Sequence, residues 1–350
     1  MDDAVRPVVT AWSAFSPFGM GREAFAAGVA EGRSAVAGID RERWGTPDDR
    51  AGLVPGFEIR RVLGGKGVRG MDRLAGLAVA TVRGLHEERP GDEATALVLG
   101  TTTGGAQTMM DITRTALTAP LPYRIDAAAI PYGVMNGAAG QCAIRHGYRG
   151  PNATIASGRP TGLAALNYAR RLLLTGRARN VVCGAVEEYS RARSWLEFHS
   201  RDGDAAGTVP GEGCAMFAVG LPPRDGTPVL AEVLALDFRV CVDGDWDAAL
   251  DRSVREVAAD PADVWATCAS GAAGPAGRAE LAALEQAAPA ATRLAPVAEL
   301  IGETGAASAA FQLAAVLALA ERSPDAAGRT AVITSADPSC GMVAAALLRI

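Results

Sequence analysis

Apolar residues in this chain fall into two patterns: short uninterrupted blocks, and longer stretches that repeat every three or four positions. The blocks at residues 7–18, 94–100, 180–188, 214–219, 229–238, 263–268 and 331–335 predict strands buried against helices. Helical spacing covers residues 21–30, 106–117, 136–144, 162–175 and 306–321. A further helix opens at Gly70-Met71-Asp72-Arg73, with Leu74, Leu77, Ala78, Ala80 and Val82 on one broad face. Residues 31–66, rich in Gly, Asp and Arg, read as irregular, and Pro120, Pro122 and Pro131 break a loop. After Pro222-Pro223 the pattern restarts. Residues 229–238 match the opening strand, 263–268 match 94–100, and helix 306–321 with strand 331–335 repeats helix 162–175 with strand 180–185. The repeat predicts two similar α/β halves, residues 1–222 and 228–350, packed as one unit.

One stretch combines these patterns into a candidate site. Thr154 to Ala156 reads as the end of a buried strand, Ser157-Gly158 as a sharp turn, and Pro160 as the first turn of a helix. Such an elbow presents its residue to the positive end of a helix, where a nucleophile is activated and an oxyanion held. The residue here is Arg159, which can be neither nucleophile nor base.

Composition narrows the function classes. A net charge of −5 argues against a nucleic-acid surface. The six cysteines (142, 183, 214, 241, 268 and 340) form no CxxC pair and mostly sit in apolar runs, which fits buried thiols in a reducing compartment and no metal site. The Met-Asp-Asp opening carries no basic–apolar signal, and no apolar run reaches about 18 residues, so a soluble cytoplasmic protein is expected, away from any membrane.

Several motifs, in order, carry a family resemblance: Met71-Asp72-Arg73, Gly100-Thr101-Thr102 with Gly104-Gly105, Asn136, Gly150-Pro151-Asn152 before the elbow, Thr161-Gly162, Glu187-Glu188 and Gly211-Glu212-Gly213. In this order the chain resembles the β-ketoacyl synthases nearly end to end. The resemblance implies the thiolase fold: an α/β, duplicated, five-layer α-β-α-β-α architecture with the active site between the halves. In that family a cysteine stands at the position of Arg159, and in the chain length factors of type II polyketide synthases a glutamine does.

Decarboxylative condensation needs a thiolate and two donors, normally histidines, that assist loss of CO2 and stabilise the enolate. By the resemblance, the first histidine maps to Ala269, eleven residues before Glu280, and the second to Gly302 or Glu303, depending on a one-residue gap. An argument from the residues alone agrees. The only histidines are His86, His146 and His199 and the only lysine is Lys66, so the second half has none of either. Cys268 and Cys340 lie at predicted strand ends that would converge near the site, with no histidine in that half to deprotonate them. Arg159, Ala269, Gly302 and Glu303 are therefore expected as vestigial positions, with no catalytic residue and no cofactor. A buried guanidinium needs an anion, and Glu303 is expected to pair with Arg159.

Other features are similar to the chain length factors. Ala272-Ala273 with Arg278-Ala279-Glu280 echoes their alanine-rich replacement of the histidine run, and Ala143-Ile144-Arg145-His146-Gly147 is close to their form. The resemblance implies a non-catalytic subunit that pairs with an active ketosynthase, receives an acyl carrier protein and shapes the acyl tunnel. Its tunnel residues map to Ala106, Met109 and Thr113, a spacing of three then four on one helix face. Met109 and Met110 equally suit an ordinary interface core. Arg159 in place of glutamine, the chain's modest length and Glu187-Glu188-Tyr189 lean toward factors that make reduced or polyene chains. Two rivals stay open: a decarboxylase that makes starter units on a carrier protein, and a homodimeric acyl-binding protein. Arg170, Arg171, Arg177 and Arg179, and Arg60, Arg61, Lys66, Arg69 and Arg73, read either as carrier-docking faces or as solvated surface.

Overall fold

The computed structural model describes residues 6–201, 208–257 and 260–350; the Met-Asp-Asp opening lies outside them. The strands before and after Pro222-Pro223 follow the same order. In the first half, Asn152–Ile155 lies at the edge, then Ala96–Gly100, Asn180–Glu187, Gly213–Gly220 and Val8–Ser16. In the second, Thr292–Leu294 lies at the edge, then Val264–Cys268, Thr330–Asp337, Met342–Arg349 and Ala231–Val240. In both, the three strands from the edge inward run parallel and the last two pair antiparallel. The halves meet where Val8 pairs with Glu232 and Val9 with Ala231.

Two helices fill the layer between the half-sheets, Thr161–Leu174 and Ser308–Ala320. The second, SAAFQLAAVLALA, is buried on every face, which its all-round apolar sequence requires. They cross so closely that a Cβ on Gly162 would come within 2.3 Å of the Ala310 backbone nitrogen. Leu163, Leu166 and Leu173 share one core with Phe311, Leu313 and Leu317, along with Trp12 and Phe25 from the first-half periphery. On the outer faces, Arg73–Glu88 and Gly137–His146 cover the first half-sheet, and Trp246–Val257 and Gly274–Ala287 the second. This is the duplicated five-layer thiolase fold.

Two local expectations change. The strand leading to the elbow is not buried: Asn152–Ile155 is an edge strand, its residues half-buried or exposed. A short apolar run does not distinguish a buried strand from an edge strand. Residues 31–66 are not wholly irregular, because they hold the short helices Arg41–Trp44 and Ile59–Leu63 and the pair Ala37–Gly38 with Arg50–Ala51. Among the described residues no helix is long and apolar enough to cross a membrane.

Candidate functional site

The elbow forms as its residues dictate. Gly158 takes φ +62°, a left-handed conformation that side chains resist. The Thr161 hydroxyl accepts from the Ser157 N–H at 2.8 Å and donates to the Gly158 carbonyl at 2.5 Å, which fixes the turn. Pro160 then starts the helix at φ −65°. A Cβ on Gly158 would strike the Asp337 carboxylate, so the turn also brings the second half against it.

Arg159 sits in this turn with its side chain only 10% exposed, in an ion pair with Glu303, itself 11% exposed. The contact joins Nη2 to Oε2, and Arg159 Nη1 is buried with no hydrogen-bond partner. The Glu303 Oε1 accepts from Gly305 N–H at 2.8 Å. Asp337 accepts the Arg159 backbone N–H at 2.8 Å and also takes the N–H and hydroxyl of Ser339. Burial pulls the Arg159 guanidinium below its ordinary value, against the carboxylates of Asp337, Glu280 and Glu197.

The histidine positions are likewise spent. Ala269 is buried at the end of Val264–Cys268, followed by Ser270, whose N–H and hydroxyl donate to Glu280 at 2.9 and 2.7 Å. Burial pushes the Glu280 carboxyl up to about 7. Gly302 has φ +81°, and a Cβ there would lie 2.9 Å from the Pro210 carbonyl, so no side chain fits; Glu303 is the residue that reaches the elbow.

No thiol is activated here. Burial pushes Cys268 up to about 12. Cys340 lies beside the elbow and is exposed, but burial and the Asp337 charge both raise its pKa. The three histidines are elsewhere. His86 and His146 lie tilted against each other with ring centroids 5.3 Å apart beside Tyr148, whose hydroxyl lies 2.9 Å from His86 Nδ1. His199 is exposed against Trp195 and Phe198.

The remaining motifs converge on the same end of the first half-sheet. Glu187 is buried at the end of its strand and accepts from the N–H groups of Thr102 and Thr103 at 2.9 and 3.2 Å, which shapes the Thr101–Gly105 turn. Glu212 binds Arg73, and Glu188 accepts from Leu74 N–H at 2.9 Å. Arg193, fully buried and without a sequence motif, donates to the carbonyls of Glu188, Gly211 and Glu303.

From that turn runs the helix Ala106–Thr118, none of whose residues is buried. Ala106 and Met109 line a cavity of about 290 Å³ with Met110, Gly133 and Met135. Thr113 is exposed and does not line it. The cavity stands apart from the cleft of similar volume that Arg159 and Glu303 border.

Known proteins are similar to this chain in sequence and fold. The family description "Beta-ketoacyl synthase, N-terminal domain" matches residues 6–220. The 3-oxoacyl-(acyl-carrier-protein) synthase 2 of Vibrio cholerae is 28% identical over 192 residues, 53% of this chain and 46% of that protein. The chain thus matches about half the length of its curated relatives. The structure described as the ishigamide ketosynthase/chain length factor has a chain 42% identical, with a TM-score of 0.92 over 99% of both chains. The AntDE:AntF structure, a type II polyketide synthase acyl-carrier protein in complex with its ketosynthase, aligns at a TM-score of 0.79 over 99% of this chain and 100% of that one. At 18% identity that match speaks for the fold alone. With the elbow, the strand order and the paired acidic motifs in place, the chain belongs to the β-ketoacyl synthase family.

Proposed function

We propose that the chain is the chain length factor of a type II polyketide synthase. In this reading it is a ketosynthase-like subunit without condensing chemistry of its own, which pairs with an active ketosynthase and shapes the acyl tunnel at their interface. The observation that carries the reading is the content of the elbow. A guanidinium stands where a nucleophile is required, Ala269 and Gly302 offer no imidazole, and Glu303 is engaged with Arg159. Condensation needs a thiolate and two enolate-stabilising donors, and the second half of the chain contains no histidine and no lysine.

The surface supports a partner. Met109, Met110 and Met135 are between 41% and 45% exposed around the cavity that begins at Ala106. Exposed apolar groups clustered at a concavity mark interaction sites more often than they mark free surface. The nearby edge strand Asn152–Ile155 has an open side. The ishigamide ketosynthase/chain length factor supports an active ketosynthase as the partner, and an acyl carrier protein, the kind of protein bound in AntDE:AntF, completes the reading as the second one. Ala106 and Met109 then bound the tunnel, with Thr113 on the same helix outside the cavity, for a reduced or polyene chain in the cytoplasm. The decarboxylase alternative requires the histidine donors that are missing.

The test is co-expression with a ketosynthase that carries the cysteine and both histidines. Co-purification, with products formed only when both chains are present, supports the reading. A purified chain that becomes acylated and elongates malonyl units by itself overturns it, and so does a stable homodimer that ignores the ketosynthase.

A further inference from the structure

Arg159 and Glu303 interlock the two halves in both directions. From the second half, Glu303 pairs with the Arg159 guanidinium, Asp337 accepts the Arg159 N–H, and Ala309 N–H donates to its carbonyl at 3.3 Å. From the first half, Val209 accepts the Glu303 N–H at 2.8 Å, and Gly211 N–H and Arg193 both donate to the Glu303 carbonyl, at 2.7 and 2.8 Å. The buried cation pairs with Glu303 and also feels the charges of Asp337, of Glu280, which Ser270 holds, and of Glu197 from the first half. The Asp337 and Glu280 oxygens have several neutral donors, whereas Glu303 Oε2 has its ion pair with Arg159 and no other hydrogen-bond partner among the described residues. Removing the cation leaves that carboxylate buried and unpaired, which is among the costly defects a protein interior can hold.

We propose that Arg159 is the counter-ion of an acidic cradle supplied by the second half, and that the cradle becomes a binding site for a guanidinium ion when the Arg159 side chain is removed. The cradle also explains why the elbow cannot regain chemistry through one substitution. A cysteine at 159 would face Glu303 and Asp337, while the buried guanidinium of Arg193 is already engaged by the carbonyls of Glu188, Gly211 and Glu303, and adjacent carboxylates disfavour a thiolate. The inference deepens the non-catalytic reading, yet it concerns charge balance within this chain alone.

The experiment compares wild type, Arg159→Ala and Arg159→Ala/Glu303→Ala by thermal unfolding, with and without low-millimolar methylguanidinium. Arg159→Ala is expected to lose about 5 °C or more. Methylguanidinium is expected to restore at least half of that loss in Arg159→Ala, and to have no such effect on wild type or the double variant. Arg159→Cys is expected to form no acyl adduct with an acyl-pantetheine thioester when its intact mass is measured. An Arg159→Ala protein as stable as wild type, an equal methylguanidinium effect on all three proteins, or a readily acylated Arg159→Cys overturns the proposal. If Arg159→Ala does not accumulate, Arg159→Lys, Glu303→Gln and their double variant carry the test. Coupled ions make the double variant lose less than the sum of the singles, and strict additivity overturns the cradle. A failed cradle leaves partner pairing intact, while a failed partner reading appears only in the co-purification.

Discussion

Arg73 and Glu212, 139 residues apart, meet in a two-point ion pair, Nε to Oε2 at 2.7 Å and Nη2 to Oε1 at 2.5 Å. The carboxylate is fully buried and also accepts the N–H groups of Val54 and Tyr189. Two of the motifs that mark the family in sequence are thus two sides of one structural joint. It ties the helix Arg73–Glu88 and the segment before it to the start of the strand Gly213–Gly220. Arg73→Ala leaves Glu212 charged and buried without its cation, and is expected to cost about 3–5 kcal/mol. Urea unfolding of the variant checks this. Arg73→Lys, which keeps the charge but loses the fork, should fall between the variant and wild type.

Glu188 stands next in the same cluster, buried, with Oε1 lacking a hydrogen-bond partner. Burial first, and then the charge of Asp72, push its carboxyl up to about 8. Because the folded pKa lies above the unfolded one, the protonated side chain's contribution is complete below about pH 4.5 and is lost as pH rises toward 8. Glu188→Gln mimics the protonated form. It should match wild type near pH 4.5 and exceed it on the order of 4 kcal/mol at pH 8 and above. Thermal midpoints across that range decide the matter, and a pH-independent difference would sink the assignment.

His146 acts at the acid side with the opposite sense. Burial, followed by the neighbouring His86, lowers its pKa to about 4. Its folded pKa lies below the unfolded value of 6.5, so its contribution is present above pH 6.5 and is lost as pH falls through 4. His146→Phe should flatten the acid limb of the stability profile while leaving the alkaline limb to Glu188. A melting series from pH 4 to pH 8 separates the two.

How much of this was legible in the sequence follows from the range of each interaction. The elbow was readable because its strand, turn, Pro160 and Thr161 are contiguous and act through local backbone rules. The duplication was readable because strand and helix repeat with the same spacing in both halves. Glu303 was reachable because a buried guanidinium at Arg159 demands an acid, and a family position supplied one. Arg193 was not legible. Besides an i,i+4 ion pair with Glu197, which reads as ordinary helix surface, its partners are backbone carbonyls at Glu188, Gly211 and Glu303, which leave no side-chain pattern to find. The part played by Asp337 was equally hidden, since it depends on Gly158 having no Cβ. The position of Asn152–Ile155 at an edge is a tertiary fact that its four residues do not encode.

Cys268 and Cys340 are the thiols placed near enough to the elbow region to be mistaken for a substitute nucleophile. The Cys268 thiol is pushed up to about 12 by burial, and its nearest polar neighbour is the Gln312 amide, not a base. The pKa of Cys340 is raised as well, with the Asp337 charge adding to burial. Cys340→Ser is therefore expected to leave product formation by the paired complex unchanged, and Cys268→Ala should affect stability and not turnover per folded complex. Product yield normalised to folded protein reads both, and loss of synthesis in Cys340→Ser alone would assign that thiol a chemical role.

Met109 tests the tunnel. It is 45% exposed on the helix Ala106–Thr118 and lines the cavity with Ala106, so a larger side chain there meets little of this chain's own core. Met109→Trp should change the stability of the chain by no more than about 0.5 kcal/mol, as substitutions at exposed positions usually do. In complex with the active ketosynthase it should shift the products toward shorter chains, because the added bulk occupies space that the growing chain would fill. Thr113→Trp, on the same helix but outside the cavity, serves as the control and should shift the products less. Mass analysis of products from the two complexes compares them directly. Equal effects at 109 and 113 would mean that the helix acts through the interface as a whole and not through this cavity.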